Sequence, residues 1–148
     1  MTSVSPSLHE QFESGTALQE PGIPTATLAA TARDLKLGFF DIDCARAKSK
    51  SAVLRAIAKA LDFPEHFGNN LDALYDSLTD VLMEQKHGMV VVLRDLHVND
   101  PVLAEHVPAI GDVFRDAIEY ARENKRALSF ILEPAHDEAT PAEPTPSA

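Results

Sequence analysis

The sequence has few of the residues that build cross-linked or metal-stabilised proteins. It contains one cysteine, Cys44, among 148 residues, so it forms no internal disulfide and offers no cysteine cluster to a metal. Its six histidines show no compact ligand spacing, which argues against a metal site. We therefore expect neither a cofactor nor a bound metal.

Long apolar runs are also missing. The sequence has no stretch of about 18 apolar residues that could span a membrane. Its first residues lack the basic and apolar segments of a secretory signal. A single cysteine also agrees with a reducing compartment. These features together predict a cytoplasmic protein.

Basic residues are scarce, because 13 lysines and arginines face 23 acidic residues and the formal net charge is −10. Such a chain is a poor partner for nucleic acids and anionic membranes unless it has a local basic patch, and the sequence shows none. Residues 38–133 hold 16 acidic and 11 basic residues, so half of the net charge lies in the flanks. The positions of the acids within 38–133 therefore matter more than their number.

Familiar enzyme motifs are absent as well. Neither a Ser-His-Asp or Cys-His arrangement nor a glycine-rich phosphate loop stands out. An enzyme would have to use carboxylates, with Asp72 and Asp76 as an acid–base pair or as Mg²⁺ ligands together with Asp80. No second catalytic element accompanies them. We therefore predict that the protein is not an enzyme and keep a metal-dependent enzyme as the least favoured alternative.

Composition divides the chain into a central domain and two flanks. Residues 1–24 and 134–148 are rich in Pro, Ser, Thr, Ala and Glu without apolar periodicity, which predicts disordered tails. Residues 25–37 have helix-forming composition and end before Gly38, which favours a short leading helix. We expect one folded domain over 38–133, since a core of that size is a common unit.

Apolar patterning within this domain predicts alternating strands and helices. Residues 39–43, 89–93 and 128–132 have strand length and contain branched or aromatic residues. Helical spacing of apolar residues appears at 53–61, 69–83 and 108–124. Strands separated by helices favour parallel pairing with right-handed crossovers. The prediction is an α/β fold, a small three-stranded parallel sheet with packed helices.

The second of these helices carries Asp72, Asp76 and Asp80 at intervals of four residues, which places the three carboxylates on one face. Its leucines cluster on the other side and can be buried. Like charges at this spacing repel by about 0.2–0.5 kcal/mol per pair, and no lysine or arginine lies between Asn69 and Gln85. The stripe thus costs stability without internal compensation. It is either an ordinary solvated face or, as we favour, a surface for a cationic partner.

The segment Leu61–Thr79 resembles the signature of the barstar family. It contains a Pro-Glu pair, an aromatic pair, Gly, and Asn-Leu-Asp-Ala-Leu followed by an aromatic residue and Asp. The similarity extends more weakly over Gly38–Glu133, including the stretch Val113–Asp116. The resemblance implies the fold described above. It also implies an inhibitor that is monomeric when free and forms a one-to-one complex with a small, basic, barnase-like ribonuclease.

The resemblance also implies roles for individual positions. Asp76 matches the aspartate that enters the nuclease active site in place of a substrate phosphate, and Asp72 matches its neighbour that faces the basic cleft. Asp116 stands where the family has a glutamate that reaches an arginine of the enzyme. His66 and Phe67 represent an aromatic pair in the loop, which covers the rim of the cleft.

Further candidate contact residues flank these positions, namely Gly68, Asn70, Tyr75, Thr79 and Asp80. Gly68 and Asn70 are most simply a turn and a helix cap. Tyr75 lies beside the acidic face, where it either shields the apolar stripe or touches a partner. The chain departs from the family where His66 replaces a tyrosine, Tyr75 a tryptophan and Asp116 a glutamate. A barstar-like domain that binds and regulates a different basic protein is therefore the alternative.

Overall fold

The computed structural model describes residues 7–18, 23–64 and 68–135 of the chain. Within these ranges the elements follow in the order α1 (Leu8–Ser14), β1 (Ala17–Leu18), α2 (Thr25–Asp34), β2 (Gly38–Asp43), α3 (Lys50–Ala60), α4 (Leu71–Glu84), β3 (Gly88–Leu96), α5 (Pro101–Ala104), α6 (Val107–Glu123) and β4 (Ala127–Pro134). Helices and strands alternate along the chain, in agreement with the predicted α/β class.

The described strands form one parallel sheet in the order β1-β4-β3-β2. The central strand β3 pairs on both sides, so that Val91 lies opposite Phe40 of β2 and Phe130 of β4. The first six residues of β3 are buried, which explains their continuous apolar run. The parallel pairing of β2, β3 and β4 is as predicted.

The predicted number of three strands is wrong. β1 adds a fourth strand beside β4, with Ala17 opposite Phe130 and Leu18 opposite Ile131. Both β1 and α1 lie in the range 1–24, where the sequence analysis expects a disordered tail. A strand of two residues is too short to show a period of two, so its sequence carries no strand signal.

The other predicted flanks are only partly described. Helix α2 lies within residues 25–37, where a leading helix is predicted. Pro134, the first residue of the predicted C-terminal tail, is the last residue of β4. Residues 1–6, 19–22 and 136–148 lie outside the described residues.

One face of the sheet is covered by α3, α4 and α6. Met89, Val91 and Leu93 of β3 point to this side and pack with the buried leucines of α4. Phe114 of α6 stacks on Phe130 of β4, with the ring centroids 4.9 Å apart. Because α4 and α6 each return the chain between parallel strands, the two helices run side by side in the same direction. This arrangement brings residues far apart in the sequence into one groove.

The opposite face of the sheet is covered by α1 and α2. Val90 and Val92 alternate with the residues above and point to this side. They pack in a second, separate core with Phe12 of α1, Leu28 of α2 and Ile131 of β4. The sheet therefore lies between two cores, and only the first of them supports α4 and α6.

Candidate protein-binding site

The start of α4 is fixed by the two asparagines before it. Asn70 has an extended backbone, and its side-chain Oδ1 accepts a hydrogen bond from the backbone N–H of Ala73 at 2.8 Å. Asn69 adopts a left-handed conformation with φ of 55°, and its Nδ2 donates to the Ser51 hydroxyl of α3 at 2.8 Å. These bonds set the direction in which α4 leaves the loop.

The two faces of α4 differ as the sequence predicts. Leu74, Leu78 and Leu82 are fully buried in the first core. Asp72, Asp76 and Asp80 are exposed. Within the described ranges, none of these three carboxylates forms an ion pair or a hydrogen bond. The acidic stripe of α4 is therefore not neutralised by the described part of its own chain.

A solvent-open groove of about 570 Å³ runs between α4 and α6. It is lined by three acidic side chains and three others, namely Asp72, Asp76, Asp116, Leu71, Tyr75 and Val113. The groove unites four of the candidate residues, which come from two helices about 40 positions apart in the sequence. We name this surface the acidic groove.

The basic residues of α6 do not neutralise the acidic groove. Arg115 pairs with Asp112 at 3.2 Å, and Arg122 pairs with Glu119 at 2.8 Å, each three residues apart on the exposed surface of the helix. Asp116 lies between these pairs in the sequence and, among the described residues, forms no ion pair. The local cations are thus engaged by other acids, and the groove remains negative.

Tyr75 lies at the boundary between the first core and the acidic groove. It is half-buried against the first core and also lines the acidic groove. Its ring meets the edge of the Tyr120 ring, with centroids 6.4 Å apart and an interplanar angle of 77°. Burial, together with the negative charges of Asp116, Glu123 and Asp76, raises the pKa of Tyr75 above its ordinary value. The aromatic wall of the groove thus lies in a negative potential.

Other candidate residues lie away from the acidic groove. Thr79 is only 8% exposed, and its hydroxyl donates to the backbone oxygens of Tyr75 and Asp76 at 3.0 Å. The sequence analysis places Thr79 among the contact residues on the surface, and the structure corrects this. A hydroxyl bonded to the preceding turn faces its own helix. Asp80 is exposed on α4 but does not line the groove.

The loop before α4 is described only in part. Gly68 is exposed, and its carbonyl oxygen accepts a hydrogen bond from Asn70 Nδ2 at 3.3 Å. Both residues thus shape the turn and the cap, as the sequence analysis favours. His66 and Phe67, the candidates for covering the rim, lie outside the described residues.

Sequence reasoning missed several residues of this surface. It placed Leu71 and Val113 in the buried stripes of their helices, but both are half-buried and line the acidic groove. It did not select Tyr120 or Glu123, which influence Tyr75 directly. Their spacing from Asp116, at four and seven residues, places them on the same side of α6 and was an available signal.

Three further features of the described residues concern metals, membranes and the single cysteine. They include no group of three or more His, Cys, Asp or Glu side chains arranged to hold a metal ion. None of the helices in the described ranges has the length and apolarity to cross a bilayer. The Cys44 thiol is fully buried, and burial beside Asp43 raises its pKa to about 12. At neutral pH this cysteine is therefore a protonated, unreactive core residue.

The described residues thus form an α/β domain in which two helices hold carboxylates along one groove, with no ion pair among those residues. The family model for Barstar, described as barnase inhibitor, matches residues 37–133. The chain therefore belongs to the barstar family, which is a family of inhibitors rather than enzymes. A comparison with curated proteins finds no significant match. Helices α1 and α2 and strand β1 precede the matched region.

Proposed function

We propose that this protein inhibits a barnase-like ribonuclease by forming a one-to-one complex in which α4, its preceding loop and α6 cover the basic active site. Membership of the barstar family supports this class of partner. The proposal includes a cytoplasmic site of action, where the inhibitor protects the cell that makes it. It assigns the contacts to the acidic groove and to the loop residues His66 and Phe67.

The observation that carries the proposal is the convergence of Asp72, Asp76 and Asp116 on one groove without a described counterion. A ribonuclease active site must bind a phosphodiester and is therefore lined by cations. Carboxylates held on rigid helices can replace the phosphate and accept charge-assisted hydrogen bonds from those cations. Because the helices fix the backbone positions of the carboxylates in advance, binding does not have to order this backbone.

The direct test is titration of the purified full-length protein into an RNA-cleavage assay with barnase-type ribonucleases. We expect cleavage to fall to zero at a one-to-one molar ratio. The matched pair Asp76→Ala and Asp80→Ala separates the groove from the rest of the acidic stripe. Asp76→Ala should weaken inhibition at least about thirtyfold, because truncating one partner of a buried charge pair costs ~2–5 kcal/mol. Asp80→Ala should stay within about fivefold, as expected of an exposed charge.

Equal small effects of the two substitutions would remove the groove assignment while leaving inhibition itself intact. The second candidate function is binding and regulation of a different basic protein. It is favoured by the departures at the groove, where Tyr75 replaces a tryptophan and Asp116 a glutamate. Unchanged RNA cleavage at large molar excess of the protein over several barnase-type enzymes would support this candidate and reject the first.

A further inference from the structure

Residues 7–18, which we call the N-terminal segment, lie outside the family match and pack against the sheet on the side opposite the acidic groove. The segment comprises α1 and β1. Its Phe12 is fully buried in the second core against Val90, Val92 and Ile131. A capping box at Ser7 and Glu10 closes the start of α1. The segment is therefore a folded cover on one face of the sheet.

Besides the pairing of β1 with β4, four hydrogen bonds attach the N-terminal segment to α6 and β4. Arg122 donates from Nη2 to the Gly15 carbonyl oxygen at 2.9 Å and from Nε to the Ser14 carbonyl oxygen at 3.2 Å. The Thr16 amide donates to the Ser129 hydroxyl at 3.1 Å, and the amide of Phe130 donates to the Thr16 carbonyl oxygen at 3.0 Å. All four of these bonds lie between Ser14 and Thr16, directly before the β1 residues that pair with β4. At the other end of the segment, His9 Nε2 lies 3.4 Å from the carboxylate of Asp34 in α2.

The backbone of the segment approaches β4 very closely. Gly15 has φ of +85°, and a Cβ atom at this position would lie 2.7 Å from the carbonyl oxygen of Leu128. Any other residue would meet both backbone strain and this contact. The edge of β4 is therefore covered by main chain. With the segment removed, β4 would present unpaired amide and carbonyl groups beside an apolar face, which is a template for pairing with another chain.

The two cores indicate that the segment can detach without disturbing the acidic groove. Phe12 and Leu18 belong to the second core, whereas the leucines of α4 and the apolar face of α6 belong to the first. Within the segment only Ala17 packs against the first core, with a single methyl group. Local openings of proteins follow the boundaries between such cooperative units.

We propose that the N-terminal segment is a latch that opens as a local unit while the groove-bearing core stays folded, and that the closed latch prevents β4 from pairing with a second copy of the chain. Closing requires the burial of Phe12 and the bonds to Arg122. Opening exposes the edge of β4 together with the apolar face around Val90. The proposal is independent of the proposed function, because it concerns the face of the sheet opposite the groove.

The first test is native-state hydrogen exchange on the full-length protein. Arg122→Gln removes both bonds to the latch. Glu119→Gln is the matched control, since it ends the ion pair of Arg122 on α6 but leaves the bonds from Arg122 to the latch in place. We expect Arg122→Gln to accelerate exchange at the Thr16 and Phe130 amides by about tenfold. The Leu78 amide of α4 should change less than about twofold. Equal acceleration at all three amides would show one cooperative unit and overturn the latch.

The second test is sedimentation velocity of Phe12→Ala, with Glu13→Ala as the exposed control on the same helix. Removing a buried phenylalanine is a large loss of packing, so the latch should be mostly open. We expect a concentration-dependent dimer for Phe12→Ala, a monomer for Glu13→Ala, and retained protection of the Leu78 amide in both. A monomeric Phe12→Ala with rapid Thr16 exchange would overturn the edge-protection role. Loss of Leu78 protection would overturn local opening.

Discussion

Neighbouring side chains on α4 have opposite environments because one residue corresponds to about 100° around a helix. Thr79 is buried and bonded to its own helix, whereas Asp80, the next residue, is exposed. Asp76 lies one turn before Asp80 and lines the acidic groove, but Asp80 does not. At the scale of residues, exposure alone therefore does not place a carboxylate in the acidic groove. Proximity to α6 makes the difference.

The carboxylate of Glu133, which does not line the acidic groove, gives a prediction on how stability depends on pH. Burial and the negative charges of Asp41 and Asp95 raise the pKa of Glu133, and Arg94 only partly opposes them. A raised pKa means that the folded protein holds this proton more tightly than the unfolded chain does. Ionising Glu133 therefore costs folding free energy. The contribution of the protonated side chain to stability is lost as the pH rises from the ordinary glutamate pKa of 4.5 through the higher pKa of the folded state.

We expect Glu133→Gln to increase the free energy of unfolding at about pH 7 and to have little effect at about pH 3, where both side chains are neutral. Urea unfolding of the wild type and the variant at the two pH values measures this difference. Glu105→Gln, at a 75% exposed side chain, is the control and should show a smaller dependence. A Glu133→Gln protein that is less stable than wild type at neutral pH would contradict the assigned cause.

At the scale of elements, the position of α4 depends on its first turn. The Asn70 cap satisfies the amide of Ala73, and Asp72 in the same turn complements the positive end of the helix dipole. At the other end, Arg126 donates to the carbonyl oxygens of Gln85 and Met83 at 2.8 and 3.2 Å. Both ends of the helix that carries the groove are thus held by specific side chains.

Replacement of the cap should destabilise the protein by a defined amount. We expect Asn70→Ala to lower the free energy of unfolding by about 1 kcal/mol, because the Ala73 amide loses its partner at the start of α4. Asn70→Ser, which keeps an acceptor at the cap, should restore most of the loss. Urea denaturation measures both variants. If Asn70→Ala and Asn70→Ser were equally destabilised, the cap would not be the reason.

The sequence predicted elements of ordinary length better than short ones. The apolar run of β3 and the stripe of α6 are strong periodic signals, and both elements are present. Helix α1 has only seven residues, although Ser7 and Glu10 form the Ser-x-x-Glu pattern of a capping box. The composition of residues 1–24, which is rich in Ser and Pro, predicts a disordered tail and outweighs that signal in the sequence analysis. Strand β1 carries no local signal, because it exists through its pairing with β4.

At the scale of the whole molecule, charge is distributed unevenly over the surface. The acidic groove lies between the first turns of α4 and the middle of α6, and a second groove lies beside the end of α6 and the end of α1. That second lining consists of Glu13, Ser14, His87, Arg122, Lys125, Arg126 and Ala127. Three lysine and arginine residues and one histidine are among the seven that line the second groove, whereas the acidic groove has three aspartates and no basic residue. The charge of the molecule, −10 in total, is therefore unevenly placed.

This asymmetry predicts how association with a basic ribonuclease depends on salt. The association rate constant should fall by about tenfold or more between about 50 and 500 mM NaCl, because screening removes the steering of the groove towards the partner. The dissociation rate constant should change much less, since contacts in the formed complex are shielded from salt. Stopped-flow mixing at several salt concentrations measures both. A salt-independent association rate would contradict electrostatic steering.

The sequence by itself determined the properties that repeat along a single element. The four-residue spacing of Asp72, Asp76 and Asp80 places them on the exposed face of α4, and the signature around them identifies the family. Only the tertiary structure decided which of these acids meets Asp116, because that depends on β3 and β4 holding α4 and α6 side by side. Pairing between distant segments also decided the fourth strand. Local periodicity reports the faces of one element, whereas contacts between elements depend on packing across the whole chain.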